Sequence, residues 1–157
     1  MNNARPLSLR ARALSYLARR EHSRLELEKK LRTHAESEEQ LIQLLDALED
    51  KKLLSAQRYA DSLIHRKSGR FGAQRILAEM KQQGMDEAIR ASSAAALKET
   101  ELQRATEVWQ KRFGTVPQSW QEKTKQAAFL QRRGFSISVI RQVLKDAELP
   151  DAGPETD

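Results

Sequence analysis

Residues 66–86 read Arg-Lys-Ser-Gly-Arg-Phe-Gly-Ala-Gln-Arg-Ile-Leu-Ala-Glu-Met-Lys-Gln-Gln-Gly-Met-Asp, in the order loop, helix, stop and cap. Gly69 and Gly72 bracket Arg70 and Phe71, which suits a tight turn with unusual dihedrals. Ala73, Ile76, Leu77 and Met80 then recur at helical spacing, Gly84 stands where a left-handed C-cap is expected, and Asp86 can cap the next helix. The same signature, a large apolar residue, a small one four later and a cap two later, occurs at Leu31, Ala35 and Ser37 and again at Leu130, Gly134 and Ser136. The copies lie about fifty residues apart, so the chain reads as three stacked repeats.

Working outward, nine helices fall into three sets of three. Leu9 to Arg20 forms the first, Ser23 caps a second carrying Leu27 and Leu31, and Ser37 caps a third with the stripe Leu41, Leu44, Leu45, Leu48. Ser55 opens a fourth along Tyr59, Ala60, Leu63 and Ile64, and the quoted stretch supplies the fifth. Asp86 starts a sixth through Ala96, and a seventh follows along Leu102, Ala105, Trp109 and Phe113 until Gly114-Thr115-Val116-Pro117 breaks it. Ser119 caps the eighth and Ser136 the ninth. No alternating β-type run is present, so the predicted class is all-α: three tandem three-helix, helix-turn-helix-like repeats stacked into an elongated, curved body. The boundaries read as a flexible N-terminus 1–8, repeats at 9–54, 55–98 and 99–149, and a disordered acidic tail at 150–157.

The chain has 157 residues, no cysteine and a formal charge of +6. Lacking thiols, it has no disulfide, thiolate metal site or cysteine nucleophile, and a reducing cytosol fits it. No apolar run reaches the ~20 residues of a membrane span. The first twenty residues hold five arginines and no acid, a presequence-like composition, but Ala11, Leu14 and Ala18 continue into the next helix and read as structural. The positive excess sits in the later repeats: eight basic against four acidic residues over 55–98, and nine against six over 99–149. A polyanion or an acidic protein surface is therefore the expected partner.

Catalytic readings find little support. His22, His34 and His65 are not paired at ligand spacing and read as surface or capping residues. Gly69 to Gly72 is too short for a phosphate loop, and no serine has a nucleophile-elbow context. No cofactor, metal or enzymatic activity is expected. Tyr59, Trp109 and Phe113 follow apolar stripes and read as core, whereas Trp120 near a helix start and Phe71 between glycines stay open. Lysine and arginine are ordinarily solvated, and Glu26 with Lys30 or Glu28 with Arg32 are plain helix pairs. The basic residues that stand out against that background are Arg66, Lys67, Arg70, Arg75 and Lys81 around the quoted stretch, with Arg132, Arg133 and Arg141 as a second patch.

Three sets of residues then carry a likeness. They are Arg20-Glu21-His22-Ser23 with Leu27-Glu28-Lys29-Lys30-Leu31; Tyr59-Ala60, Gly69-Arg70-Phe71-Gly72, Arg75-Ile76 and Gly84; and Lys111-Arg112-Phe113-Gly114 with Phe129-Leu130 and Arg133-Gly134-Phe135. In order and spacing the chain resembles the RecX family over nearly its whole length. It departs at Lys52-Leu53-Leu54-Ser55, where the family usually has a glycine-aromatic-leucine-aspartate turn, and at Gln83, where lysine is common. The resemblance implies a cytoplasmic, non-enzymatic inhibitor of the RecA recombinase. Such a protein occupies the groove of the RecA–DNA filament and suppresses ATP hydrolysis, strand exchange and coprotease activity. Single- or double-stranded DNA is then expected as a weak, sequence-independent partner; from the sequence itself no membrane partner is expected, and a monomer is the default with the oligomeric state left open. Two rival expectations are a helix-turn-helix DNA regulator, which needs a palindromic site and dimerisation, and a helical scaffold for unrelated partners.

Overall fold

Six side chains at the heads of apolar stripes stop their helices from unravelling backwards. Ser23, Ser37, Ser55, Asp86, Ser119 and Ser136 each accept a hydrogen bond from the backbone N–H three residues later, at 2.9 to 3.2 Å. Each satisfies one of the amide donors that a helix start leaves unpaired, a contribution of about 1 kcal/mol per cap. At Ser23 the bond is reciprocal, since Glu26 also accepts from the serine amide.

The computed structural model describes residues 5–145. Its helices are α1 (Leu9–Arg19), α2 (Arg24–Leu31), α3 (Glu38–Asp50), α4 (Ala56–Lys67), α5 (Ala73–Gln82), α6 (Glu87–Arg112), α7 (Trp120–Arg132) and α8 (Ile137–Val143), with a 3₁₀ turn at Arg32–His34. Among the described residues there is no strand, and the all-α class stands. The count corrects the reading of nine helices. The sixth and seventh are one rod of 26 residues, so the boundary read at 98/99 falls inside α6. Between Glu87 and Arg112 there is neither glycine nor proline, and Ala94-Ala95-Ala96 has the highest helix propensity available. The expected acidic tail at 150–157 lies outside the described residues.

The chain divides into two compact units, residues 1–62 with 80–90, and residues 63–79 with 91–157. In the first unit, Leu9, Ala13, Leu27, Leu31, Leu41, Leu45, Leu48 and Leu54 form the core. The helical leucines are placed there by the 3.6-residue period and Leu54 by the turn after α3, each contributing roughly 1.5–3 kcal/mol of burial. In the second unit, Ala105 and Val108 of α6, Leu130 of α7 and Phe135, Ile140 and Leu144 form the core. Phe135 is fully buried, and cutting it to alanine would cost about 3–5 kcal/mol.

The repeated signature has a common physical basis. Leu31, Met80 and Leu130 are all fully buried at the ends of α2, α5 and α7. After Met80 and Leu130 the chain reverses through Gly84 at φ 72° and Gly134 at φ 92°. The next amide returns to the buried residue's carbonyl, Met85 to Met80 at 3.0 Å and Phe135 to Leu130 at 3.2 Å. After Leu31 the reversal is made by the 3₁₀ turn instead, with Ala35 extended at φ −79°. Alanine, unlike glycine, avoids the left-handed region, which explains the difference.

Candidate cationic site

The loop between α4 and α5, residues 68–72, is held from below by a buried cation. Arg104 of α6 is only 8% exposed, and its guanidinium donates to the carbonyls of Ser68 at 2.9 Å, Phe71 at 2.8 Å and Leu97 at 3.1 Å, and to Thr100 Oγ1 at 3.0 Å. Burial lowers its pKa from the usual arginine value, with Glu101 acting in the opposite direction, but an arginine stays charged. Glu101, also buried, accepts the amide of Ala73 at 3.4 Å. Arg104 and Glu101 therefore act through the loop they position and not by meeting a ligand.

The same loop is clamped to the end of α7. The Gly72 amide donates to Arg133 O at 2.7 Å and the Gln74 amide to Gly134 O at 3.2 Å. In return, Arg133 Nη1 donates to Arg70 O at 3.3 Å, and Arg75 Nη1 donates to Arg132 O at 3.4 Å. The approach is so close that a Cβ on Gly72 would lie 2.3 Å from Gly134 O, which only glycine permits. Phe71, half-buried on this clamp, is ringed by cations: Arg75 at 4.1 Å from the ring centroid, Arg133 at 5.3 Å, Arg70 at 5.4 Å and Lys67 at 5.7 Å. Phe71 is the wedge that sequence left open, and it carries the positive charges on its ring as well.

The cluster continues along one surface of this unit. Arg133 also packs on Phe129 at 5.0 Å, Arg112 packs on both Phe113 and Phe129 at 5.6 Å, and the two phenylalanine rings meet edge to face at 5.4 Å. A cleft of about 310 Å³ opens between Arg70, Lys111, Arg112 and Arg133, with Val108 and Phe129 as its apolar wall. Among the described residues none of these four cations has a carboxylate at ion-pair distance; Lys67, by contrast, is paired with Glu79 at 3.0 Å. Like charges gathered over an apolar wall repel one another, and an incoming anion relieves that repulsion.

Of the eight basic residues named from sequence, Lys67, Arg70, Arg75 and Arg133 meet around Phe71, and Arg132 joins them through its carbonyl. Arg66 is exposed in the last turn of α4. Lys81, exposed in the last turn of α5, belongs to the first unit. Arg141 lines a different groove, between α7 and α8. Lys111, Arg112 and Phe129 were missed as site residues, although Arg112-Phe113 and Phe129 with Arg132-Arg133 show the interleaving of arginine and aromatic that marks the cluster.

The aromatic and histidine readings are refined. Tyr59 is buried as expected, Trp109 and Phe113 are only half-buried, and Trp120 is 64% exposed. His22, read as a surface or capping residue, is 1% exposed. Its Nε2 faces Lys30 Nζ at 3.0 Å and its Nδ1 faces Arg20 O at 3.0 Å. An ammonium only donates, so Nε2 accepts and Nδ1 carries the proton, which is the neutral ring. Gln83 accepts the Ser23 hydroxyl at 2.6 Å.

Among the described residues no group of three His, Asp or Glu side chains is placed to hold a metal, and no helix is long and apolar enough to cross a membrane. The family model for the third three-helix domain of RecX matches residues 99–144. Regulatory protein RecX of Ralstonia pickettii is 46% identical over 153 residues, covering 97% of this chain and 96% of the relative. That of Leptothrix cholodnii is 44% identical over 147 residues, with 94% of each covered. The crystal structure of RecX from Lactobacillus salivarius superposes with a TM-score of 0.74 at 20% identity over 88% of this chain and 94% of that one, a likeness of fold. Matched nearly end to end by relatives named as regulatory proteins at 44–46% identity, the helical chain belongs to the RecX family of regulatory proteins.

Proposed function

We propose that the chain is a negative regulator of RecA that lodges in the groove of the RecA–DNA filament and opposes ATP hydrolysis, strand exchange and coprotease activity. The observation that carries this reading is the uneven pairing of charge. In the first unit fourteen basic residues face twelve acidic ones, and six ion pairs, among them Arg24 with Asp46 and Glu49, hold part of that charge internally. In the second unit fourteen basic residues face ten acidic ones, five of these after residue 145, and the pair Lys67–Glu79 is the one ion pair among its described residues. The surplus around Phe71 and Phe129 is what a filament of phosphate and acidic protein would meet. Arg66, Lys67, Arg70, Arg75, Arg132, Arg133 and Arg141 are the proposed contacts in the second unit, and Lys81 is the proposed contact in the first. DNA alone is a weaker, sequence-independent partner. The test is addition of the purified protein to RecA on single-stranded DNA while ATP hydrolysis and strand exchange are followed. Inhibition near stoichiometry is expected, and Arg70→Ala with Arg75→Ala weakens it several-fold; full activity of RecA at stoichiometric protein overturns the reading.

A further inference from the structure

The second unit has another surface whose chemistry is different. Between α7 and α8 lies an open groove of about 540 Å³ whose floor is Ala127, Ile140 and Leu144 and whose wall includes Ile137, 57% exposed. Trp120 precedes Ala127 by seven residues, two helical turns, so it stands at nearly the same azimuth on α7 and extends this apolar strip. It is 64% exposed, and exposed tryptophan and isoleucine in one strip mark a contact surface more than a solvated one.

The rim of the groove is basic. Lys123, Arg141 and Lys145 line it, no acidic residue does, and none of the three has an ion-pair partner among the described residues. Arg141 and Lys145 lie at the C-terminal end of α8, where the helix dipole favours cations and accounts for them without a ligand. Lys123 lies near the N-terminal end of α7, where the dipole disfavours a cation, so helix stability does not explain it. The cationic cleft at Phe129 invites phosphate or carboxylate alone, whereas this groove offers a wide apolar floor that a phosphate backbone leaves uncovered.

We infer that this groove receives an amphipathic acidic helix from a partner protein, its apolar residues at i, i+3 or i+4 and i+7 seated on Ile137, Ile140, Leu144 and Trp120 and its carboxylates facing Lys123, Arg141 and Lys145. The inference does not rest on the RecA reading. The probe is a fluorescein-labelled peptide of about fourteen residues, near 20 Å of helix, with leucines at those positions and glutamates elsewhere. Binding is read by anisotropy and by Trp120 emission in full-length protein carrying Trp109→Phe. Saturable binding with a blue shift is expected, and Ile137→Glu or Lys123→Glu, both at solvent-accessible positions, weakens it at least tenfold while Arg70→Ala leaves it unchanged. Four results overturn the inference. Equal binding of a leucine-to-glutamine peptide means charge alone is read, and displacement by oligothymidylate means nucleic acid is the occupant. A concentration-dependent dimer abolished by Ile137→Glu means a second copy covers the groove. A tenfold gain in peptide affinity when residues 146–157 are removed means that this chain's own acidic segment does so.

Discussion

Arg104 occupies a register on α6 that periodicity assigns to the core, between Leu97, Glu101 and Val108. Its fork satisfies three carbonyls, two of them in the loop that presents Phe71. Arg104→Met keeps the apolar bulk but orphans those acceptors and the Glu101 charge. The expected cost is about 3 kcal/mol in urea unfolding, with faster amide exchange at Arg70, Phe71 and Gly72. Lysine at this position rescues little, because a single ammonium does not span three carbonyls. A second residue-scale effect belongs to His22. Burial, the largest cause, lowers its pKa below 6.5, and Arg20 and Lys30 add to that while the Arg20 carbonyl and Glu26 oppose it. The unfolded chain therefore binds a proton that the folded one refuses, and the stability of the neutral ring is lost as pH falls below about 6.5. For Glu26, burial alone would raise the pKa, but hydrogen bonds from Arg20 and the Ser23 amide and the Arg20 charge hold it below 4.5, so its contribution fades only in more acid solution. Urea unfolding between pH 8 and 5 should show the histidine loss, about 1.4 kcal/mol for each unit by which the folded pKa is lowered, and His22→Gln should flatten it.

At the scale of the element, the reversals after α5 and α7 share a sequence and a backbone but differ in surroundings. A Cβ at Gly84 meets nothing within 4 Å, so Gly84→Ala costs only the left-handed strain, about 1–2 kcal/mol. At Gly134 the same Cβ lies 2.5 Å from Arg75 Cβ and 2.7 Å from its amide nitrogen, so Gly134→Ala adds overpacking and pulls the clamp apart, roughly 3 kcal/mol or more. Melting temperatures of the two variants should separate accordingly. The converse holds at Lys52, just past the end of α3, which adopts φ 58°, the left-handed region that glycine enters freely. Lys52→Gly should raise stability by roughly 0.5–1 kcal/mol. These elements also show what was legible beforehand. Caps such as Ser37 and Ser136 and stoppers such as Gly84 act locally, within four residues, and were readable. The fusion of two helices into α6 was missed because the stretch through Ala96 and the stripe beginning at Leu102 were read as separate helices, although no glycine or proline parts them. Glu101 and Arg104 were missed because a charged residue in a helix reads as solvated until its distant partners, Ala73 and Phe71, are known.

For the whole molecule, net charge decides less than where charge is already paired. The formal +6 suggests a uniformly basic protein, yet the first unit holds cations such as Arg24, Arg32 and Arg58 in ion pairs, while Arg70, Lys111, Arg112 and Arg133 of the second share a cleft with no ion-pair partner among the described residues. Exposed pairs stabilise little, but they lower the field each partner projects. Two double variants with the same change in net charge therefore differ in effect. Arg70→Glu with Lys111→Glu places two negative charges in the cleft, whereas Lys29→Glu with Lys51→Glu changes exposed residues of the first unit. In RecA ATP hydrolysis assays at 50 to 300 mM salt, as an order-of-magnitude range for screening, the first pair should raise the half-inhibitory concentration at least tenfold and flatten its salt dependence. The second pair should stay within about twofold, since its long-range effect is screened within roughly 10 Å. Equal losses in both variants would mean that overall charge steers the encounter and that the cleft at Phe129 is not the contact.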